Sequence, residues 1–131
     1  MRSSLLSLAA AAALLSGATT AQAATYAIDP AHTYDTFEIR HLGTSTNRGR
    51  FDKKDGNVEF DRAAKSGKVE ITVDTGSINT GFAAFNKHLQ SADLFDVEKF
   101  PTMKFVANKF SFNGDKVTEV SGNLTLLGKT N

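Results

Sequence analysis

The chain has 131 residues, with 15 Lys plus Arg against 14 Asp plus Glu and a formal net charge of +1. That balance argues against sequence-independent nucleic-acid binding, which rests on an excess of cations. The absence of cysteine excludes a disulfide framework and a thiolate metal site within these residues.

Residues 1–23 read as a secretory signal peptide. Arg2 supplies a positive start, Leu5 to Leu15 an apolar run, and Ala21-Gln22-Ala23 a small-x-small cleavage site. The apolar run is shorter than the roughly 20 residues a spanning helix needs. Cleavage after Ala23 is therefore expected to leave residues 24–131 as one exported domain with no transmembrane segment. Arg2 is the only charged residue removed, so the mature chain is formally neutral.

From there the chain alternates in strand fashion. Phe37, Ile39 and His41 share one face, with Thr36, Glu38 and Arg40 on the other. Val58 and Phe60 alternate with Asn57, Glu59 and Asp61, and Val69, Ile71 and Val73 with Glu70, Thr72 and Asp74. Period-two patterning marks strands with one buried face. Asp55-Gly56, Ser66-Gly67, Thr75-Gly76 and Asn113-Gly114 read as turns between them. Short strands so connected suggest an antiparallel sandwich or barrel.

Two places depart from this rhythm. Phe82, Phe85 and Leu89 fall at i, i+3 and i+7, which predicts a helix over Phe82 to Gln90 with one apolar stripe packed on the sheet. Met103, Phe105 and Ala107 have odd parity whereas Phe110 and Phe112 have even parity, which predicts a β-bulge near Asn108-Lys109. Ten Phe and no Trp suit either an ordinary core or a Phe-lined pore for a long hydrocarbon, and composition does not separate the two.

No catalytic motif stands out. His32, His41 and His88 lack the i, i+4 spacing of a metal-binding helix, and no acidic ligand accompanies them at metal spacing. There is no nucleophile elbow and no Gly-rich phosphate loop. A metal- or haem-associated protein using these histidines, and a ligand-free structural β-domain, stand as alternatives to a binding function.

Residues 87–105 are the most informative stretch: a short amphipathic helix, a tight acidic turn and a Phe-rich strand. With its neighbours it resembles the YceI-like family. The matching pieces run in order: Asp29-Pro30-x-His32-Thr33, Phe37-x-Ile39-x-His41-x-Gly43, Gly49-x-Phe51, Gly56-x-Val58-x-Phe60-Asp61 and Ser77-Ile78-x-Thr80. His88-Leu89-x-Ser91-x-Asp93-Leu94-Phe95-Asp96-Val97, Phe100-Pro101, Phe105 and Gly122-Asn123-Leu124-Thr125-Leu126-x-Gly128-Lys129-Thr130 complete the set.

The resemblance implies an all-β, lipocalin-like antiparallel barrel with a helical insertion. It implies a mostly periplasmic protein without catalytic activity that holds a long-chain amphiphile, typically an isoprenoid-chain lipid of polyprenyl or prenyl-quinone type, and no metal or other cofactor. Phe37, Ile39, Val69, Ile71, Val73 and Phe105 are then expected to line the pore, with His41 placed to meet a head group. Two departures follow. Asp35 shares the Phe37/Ile39 face, where the family carries apolar or small residues, and an inward acid is costly unless paired or wet. The chain also reaches Asn131 where a family member would turn into a further strand, so it is expected to be truncated at its C-terminus, with the barrel incomplete and strand edges open.

Overall fold

The computed structural model describes residues 22–131. The proposed leader therefore lies, but for Gln22 and Ala23, outside the described residues. Nine strands form in chain order: β1 (Ala24–Ala27), β2 (Asp35–His41), β3 (Ser45–Phe51), β4 (Lys54–Asp61), β5 (Ser66–Asp74), β6 (Ile78–Asn79), β7 (Thr102–Asn113), β8 (Lys116–Leu126) and β9 (Lys129–Thr130). Among the described residues a single α-helix, α1 (Ala83–Gln90), lies between β6 and β7. The strands make two antiparallel sheets, a larger one in the order β1-β4-β5-β7-β8-β9 and a smaller one in the order β2-β3-β6.

The architecture is antiparallel β, as the residue pattern predicts, and lipocalin-like with open strand edges, as the resemblance implies. The two sheets are not closed into a barrel among the described residues: β1 and β9 are free edges of the larger sheet, and β2 is an edge of the smaller. Barrel closure requires every strand to pair on both sides.

Register agrees with the parity reading. Val58 faces Val69, and Val69 faces Ala107 across the next ladder. The predicted bulge is present: pairing shifts between Ala107 and Lys109, so Ala107 sits opposite Gly122 while Phe110 sits opposite Val120. The extra residue reverses parity and keeps Phe105, Ala107, Phe110 and Phe112 on one face. A second shift follows between Ser111 and Phe112.

Two of the four expected turns are strand instead. Asn113-Gly114 does turn between β7 and β8, with Gly114 at φ +61, and Thr75-Gly76 forms a 3-10 turn capped by Asp74. Asp55-Gly56, however, lies within β4, and Ser66-Gly67 opens β5. The reason is close approach rather than turn geometry. A Cβ on Gly67 would lie 2.7 Å from the Phe110 ring, and one on Gly56 would lie 2.8 Å from Ile28. These glycines are places where a larger side chain lies across the sheet.

Packing is concentrated at one end. Phe51, Val73, Ile78 and Leu89 form the buried cluster, with Phe37, Ile71, Phe85, Phe95 and Met103 packed against it. Each fully buried side chain of this size contributes about 1.5–3 kcal/mol. Phe51 is the hub: its ring meets Phe37 at 5.7 Å and Phe95 edge-on at 5.6 Å. The helix brings Leu89 and Phe85 to this cluster, but Phe82 is its N-cap and is exposed, so the stripe is shorter than its spacing suggests. Ser91 ends the helix by donating from N–H and Oγ to the His88 carbonyl.

The acidic turn after the helix is tied down by its own backbone. The Phe95 N–H donates to Leu89, and the Asp96 N–H donates to Ser91 at 2.9 Å. Asp96 itself adopts a left-handed conformation, φ +44. This folding delivers Phe95 onto Phe51. Thr75, almost fully buried, satisfies its hydroxyl on the Phe100 carbonyl at 2.7 Å, as buried polar groups must.

Candidate functional site

The inner face of the larger sheet carries an apolar track that begins at the packed core and runs away from it. At the core end Val73 stands opposite Met103. Next come Ile71 opposite Phe105, then Val69 opposite Ala107. Farther along, Phe60, Phe110 and Phe112 gather, with the Phe60 ring 6.1 Å from each of the other two. Phe60 is on β4 and the other two are on β7, with β5 between them. They meet because Gly67, opposite Phe60, has no side chain to separate them.

Burial of the larger side chains falls along this track, although the small Ala107 between them is only 1 % exposed. Val73 is 6 % exposed, whereas Val58, Phe60, Val69, Phe105, Phe110 and Phe112 are only half-buried. At the sheet edges Tyr26 and Leu124 are 57 % and 40 % exposed. The smaller sheet behaves similarly. The Phe37 ring covers Gly49, with which it is paired, and is half-buried, while Ile39 is 56 % exposed and His41 is exposed.

Of the residues expected to line a pore, Val69, Ile71 and Phe105 stand together on the apolar track. Phe37 stands beside the core, and Ile39 and His41 lie uncovered on β2. Val73 does not line an open space: it is enclosed with Phe51, Ile78 and Leu89. The sequence reading omitted Val58, Phe60, Phe110 and Phe112. Their signal was nonetheless present, since each shares parity with an expected lining residue once the bulge is counted.

The ion pairs of the strands lie on the outer faces. Glu70 lies between Lys104 at 2.8 Å and Lys68 at 3.0 Å, whose hydrogen bonds and charges hold its carboxyl at about 2. Arg48 pairs with Glu38 at 2.7 Å and Arg50 with Asp52 at 2.6 Å. Asp52 also accepts from the Asn79 amide, and these partners lower its carboxyl below the usual range. A cleft of about 430 Å3 beside Arg48, Arg50 and Gly81 is thus flanked by cations already engaged with acids.

The histidines do not assemble a metal centre. His32 bonds Asp29 at 2.6 Å in the loop before β2, His41 ends β2, and His88 lies in the last turn of α1. Among the described residues no group of three or more His, Cys, Asp or Glu could hold an ion. Nor is any described helix long and apolar enough to cross a membrane.

Known proteins resemble this chain in sequence and in fold. The chain is 41% identical to a UPF0312 protein of Pseudomonas savastanoi pv. phaseolicola over 99% of its own length and 69% of the relative's. It is 42% identical to a UPF0312 protein of Pseudomonas aeruginosa, covering 84% of this chain and 59% of that one. Among solved structures, BcnA of Burkholderia cenocepacia superposes with a TM-score of 0.71 at 27% identity, over 79% of this chain and 65% of that one. The Campylobacter jejuni YCEI protein superposes with a TM-score of 0.62 at 32% identity, over 81% and 63%. A polyisoprenoid binding domain from Saccharophagus degradans shares the fold, with a TM-score of 0.50 at 18% identity over 84% and 59%. The YceI-like domain family matches residues 26–131. With the ordered motifs, the helix inserted ahead of β7 and the fold all in agreement, this chain belongs to the YceI-like family.

Proposed function

We propose that the protein is exported to the periplasm and there binds and carries a long-chain amphiphile, most simply an isoprenoid-chain lipid, without catalysing a reaction. The observation that carries this reading is the apolar track. Its aromatic and branched side chains are aligned on one sheet face yet are covered only at the core end. Aligned apolar surface left uncovered marks a binding site. The likeness of fold to a protein described as a polyisoprenoid binding domain supports a lipid of isoprenoid type, and the apolar character of the track suits its hydrocarbon.

The magnitudes are adequate. At about 0.8 kcal/mol per buried CH2, one five-carbon isoprene unit contributes roughly 3–4 kcal/mol gross. Association costs an estimated 4–15 kcal/mol, so a few units suffice for micromolar affinity. Native mass spectrometry and organic extraction of the protein purified from cells test the proposal. A bound species of prenyl-lipid mass is expected. A protein that arrives empty and takes up no prenyl lipid from detergent micelles overturns it.

A further inference from the structure

The inner faces hold one carboxylate oxygen that the fold does not use. Asp35 opens β2 on the same face as Phe37 and stands directly opposite Phe51, the hub of the core. Its Oδ2 is buried and has no hydrogen-bond partner, the only such side-chain atom among the described residues. No ion pair among those residues includes Asp35. Lys54, on the inner parity of β4, instead commits its ammonium to the Phe51 carbonyl at 3.1 Å.

Such an atom is expensive in the ligand-free protein, because burial removes water and the fold returns no donor. A carboxylate accepts hydrogen bonds and repels anions. We propose that Asp35 is the head-group selector of this site: it accepts a hydrogen bond from a neutral or cationic donor head group, such as a hydroxyl, phenol, amide or amine, and disfavours phosphate and carboxylate heads. The head group then approaches Asp35, itself half-buried on the edge strand β2, from the border of the enclosed cluster, and the hydrocarbon runs outward over Phe105, Phe60, Phe110 and Phe112. This inference rests on the lipid-binding reading and adds the polarity and direction of the ligand.

The test uses the full chain and two probes with one hydrocarbon, geranylgeraniol and geranylgeranyl diphosphate, with affinities read by titration of intrinsic fluorescence or by calorimetry. The wild type binds the alcohol at least about tenfold more tightly, the scale of a hydrogen bond to a charged group. Asp35→Asn narrows that ratio by removing the charge with the shape kept, and Asp35→Val weakens alcohol binding by about tenfold. A wild type that prefers the diphosphate, or a ratio unchanged in Asp35→Asn, overturns the inference and leaves lipid binding standing. A wild type that takes neither probe overturns both. Thermal unfolding gives an independent arm: the ligand-free Asp35→Val protein melts above the wild type, since an unpartnered buried carboxylate is removed. A lower melting temperature shows that Asp35 serves the fold, and overturns the inference.

Discussion

The two ends of this molecule are built from the same residue types and differ in what covers them. At one end Phe51, Val73, Ile78 and Leu89 are enclosed, because α1 and the turn after it lay Leu89, Phe85 and Phe95 against the strands. Along the rest of the larger sheet, Phe60, Phe110 and Phe112 pack on one another across Gly67 and stay half-buried. Aromatic content therefore does not distinguish a core from a binding face. Cover from a second layer does, and here that layer is a short helix and a loop.

The largest expected effect breaks that comparison most directly. Phe51→Ala should cost about 3–5 kcal/mol in urea unfolding, the range for deleting an enclosed aromatic. Phe112→Ala should cost distinctly less, because its site already borders solvent, and should instead weaken uptake of a prenyl lipid. Equal losses of stability would mean that the sheet face is as much core as the closed end.

Gly122→Ala probes the bulge that keeps the track on one face. A Cβ there would collide with the Val106 carbonyl and lie 2.5 Å from the Ala107 Cα, and backbone cannot swing aside as a side chain can. A loss of about 1–3 kcal/mol is expected, as for overpacking elsewhere. Wild-type stability of the variant would show that the β7–β8 ladder is looser than its register implies.

Leu42→Asn should act in the opposite sense. Leu42 occupies the tip of the β2–β3 hairpin at φ +50 and is 85 % exposed, so it has the strain of a left-handed residue with little packing in return. Asn tolerates that conformation, and a gain of about 0.5–1 kcal/mol is expected in denaturant titration. A loss would indicate that the exposed leucine makes a contact in solution.

The smallest effect is electrostatic. Glu70 is held at about 2 against an ordinary value of 4.5. A carboxyl lowered on folding stabilises fully above its unfolded value, and that contribution is lost as pH falls from 4.5 toward 2. Because Glu70 is exposed, salt should screen most of it. Carbon-detected NMR titration of Glu70 at low and high salt would check the direction. A midpoint near the ordinary value in both would dissolve the Lys68–Glu70–Lys104 cluster as a feature of the outer face.

Much of this protein was legible in its residues. Alternation located the strands because side chains on a pleated strand point to opposite faces in turn, and the parity change between Ala107 and Phe110 announced the bulge. The ordered motifs around His88–Phe105 carried the family. Three matters needed the tertiary structure. Gly56 and Gly67 look like turn residues in isolation; only the neighbouring strand shows that Ile28 and Phe110 occupy the space their side chains would fill. Val73 and Val69 have the same parity on the same strand, yet one is enclosed and the other half-open, because cover is supplied by residues distant in sequence. Asp35 could be recognised as an inward acid from β2 alone, but whether any donor reaches it depends on every element around it, and a buried atom without a partner is a property that no local pattern encodes.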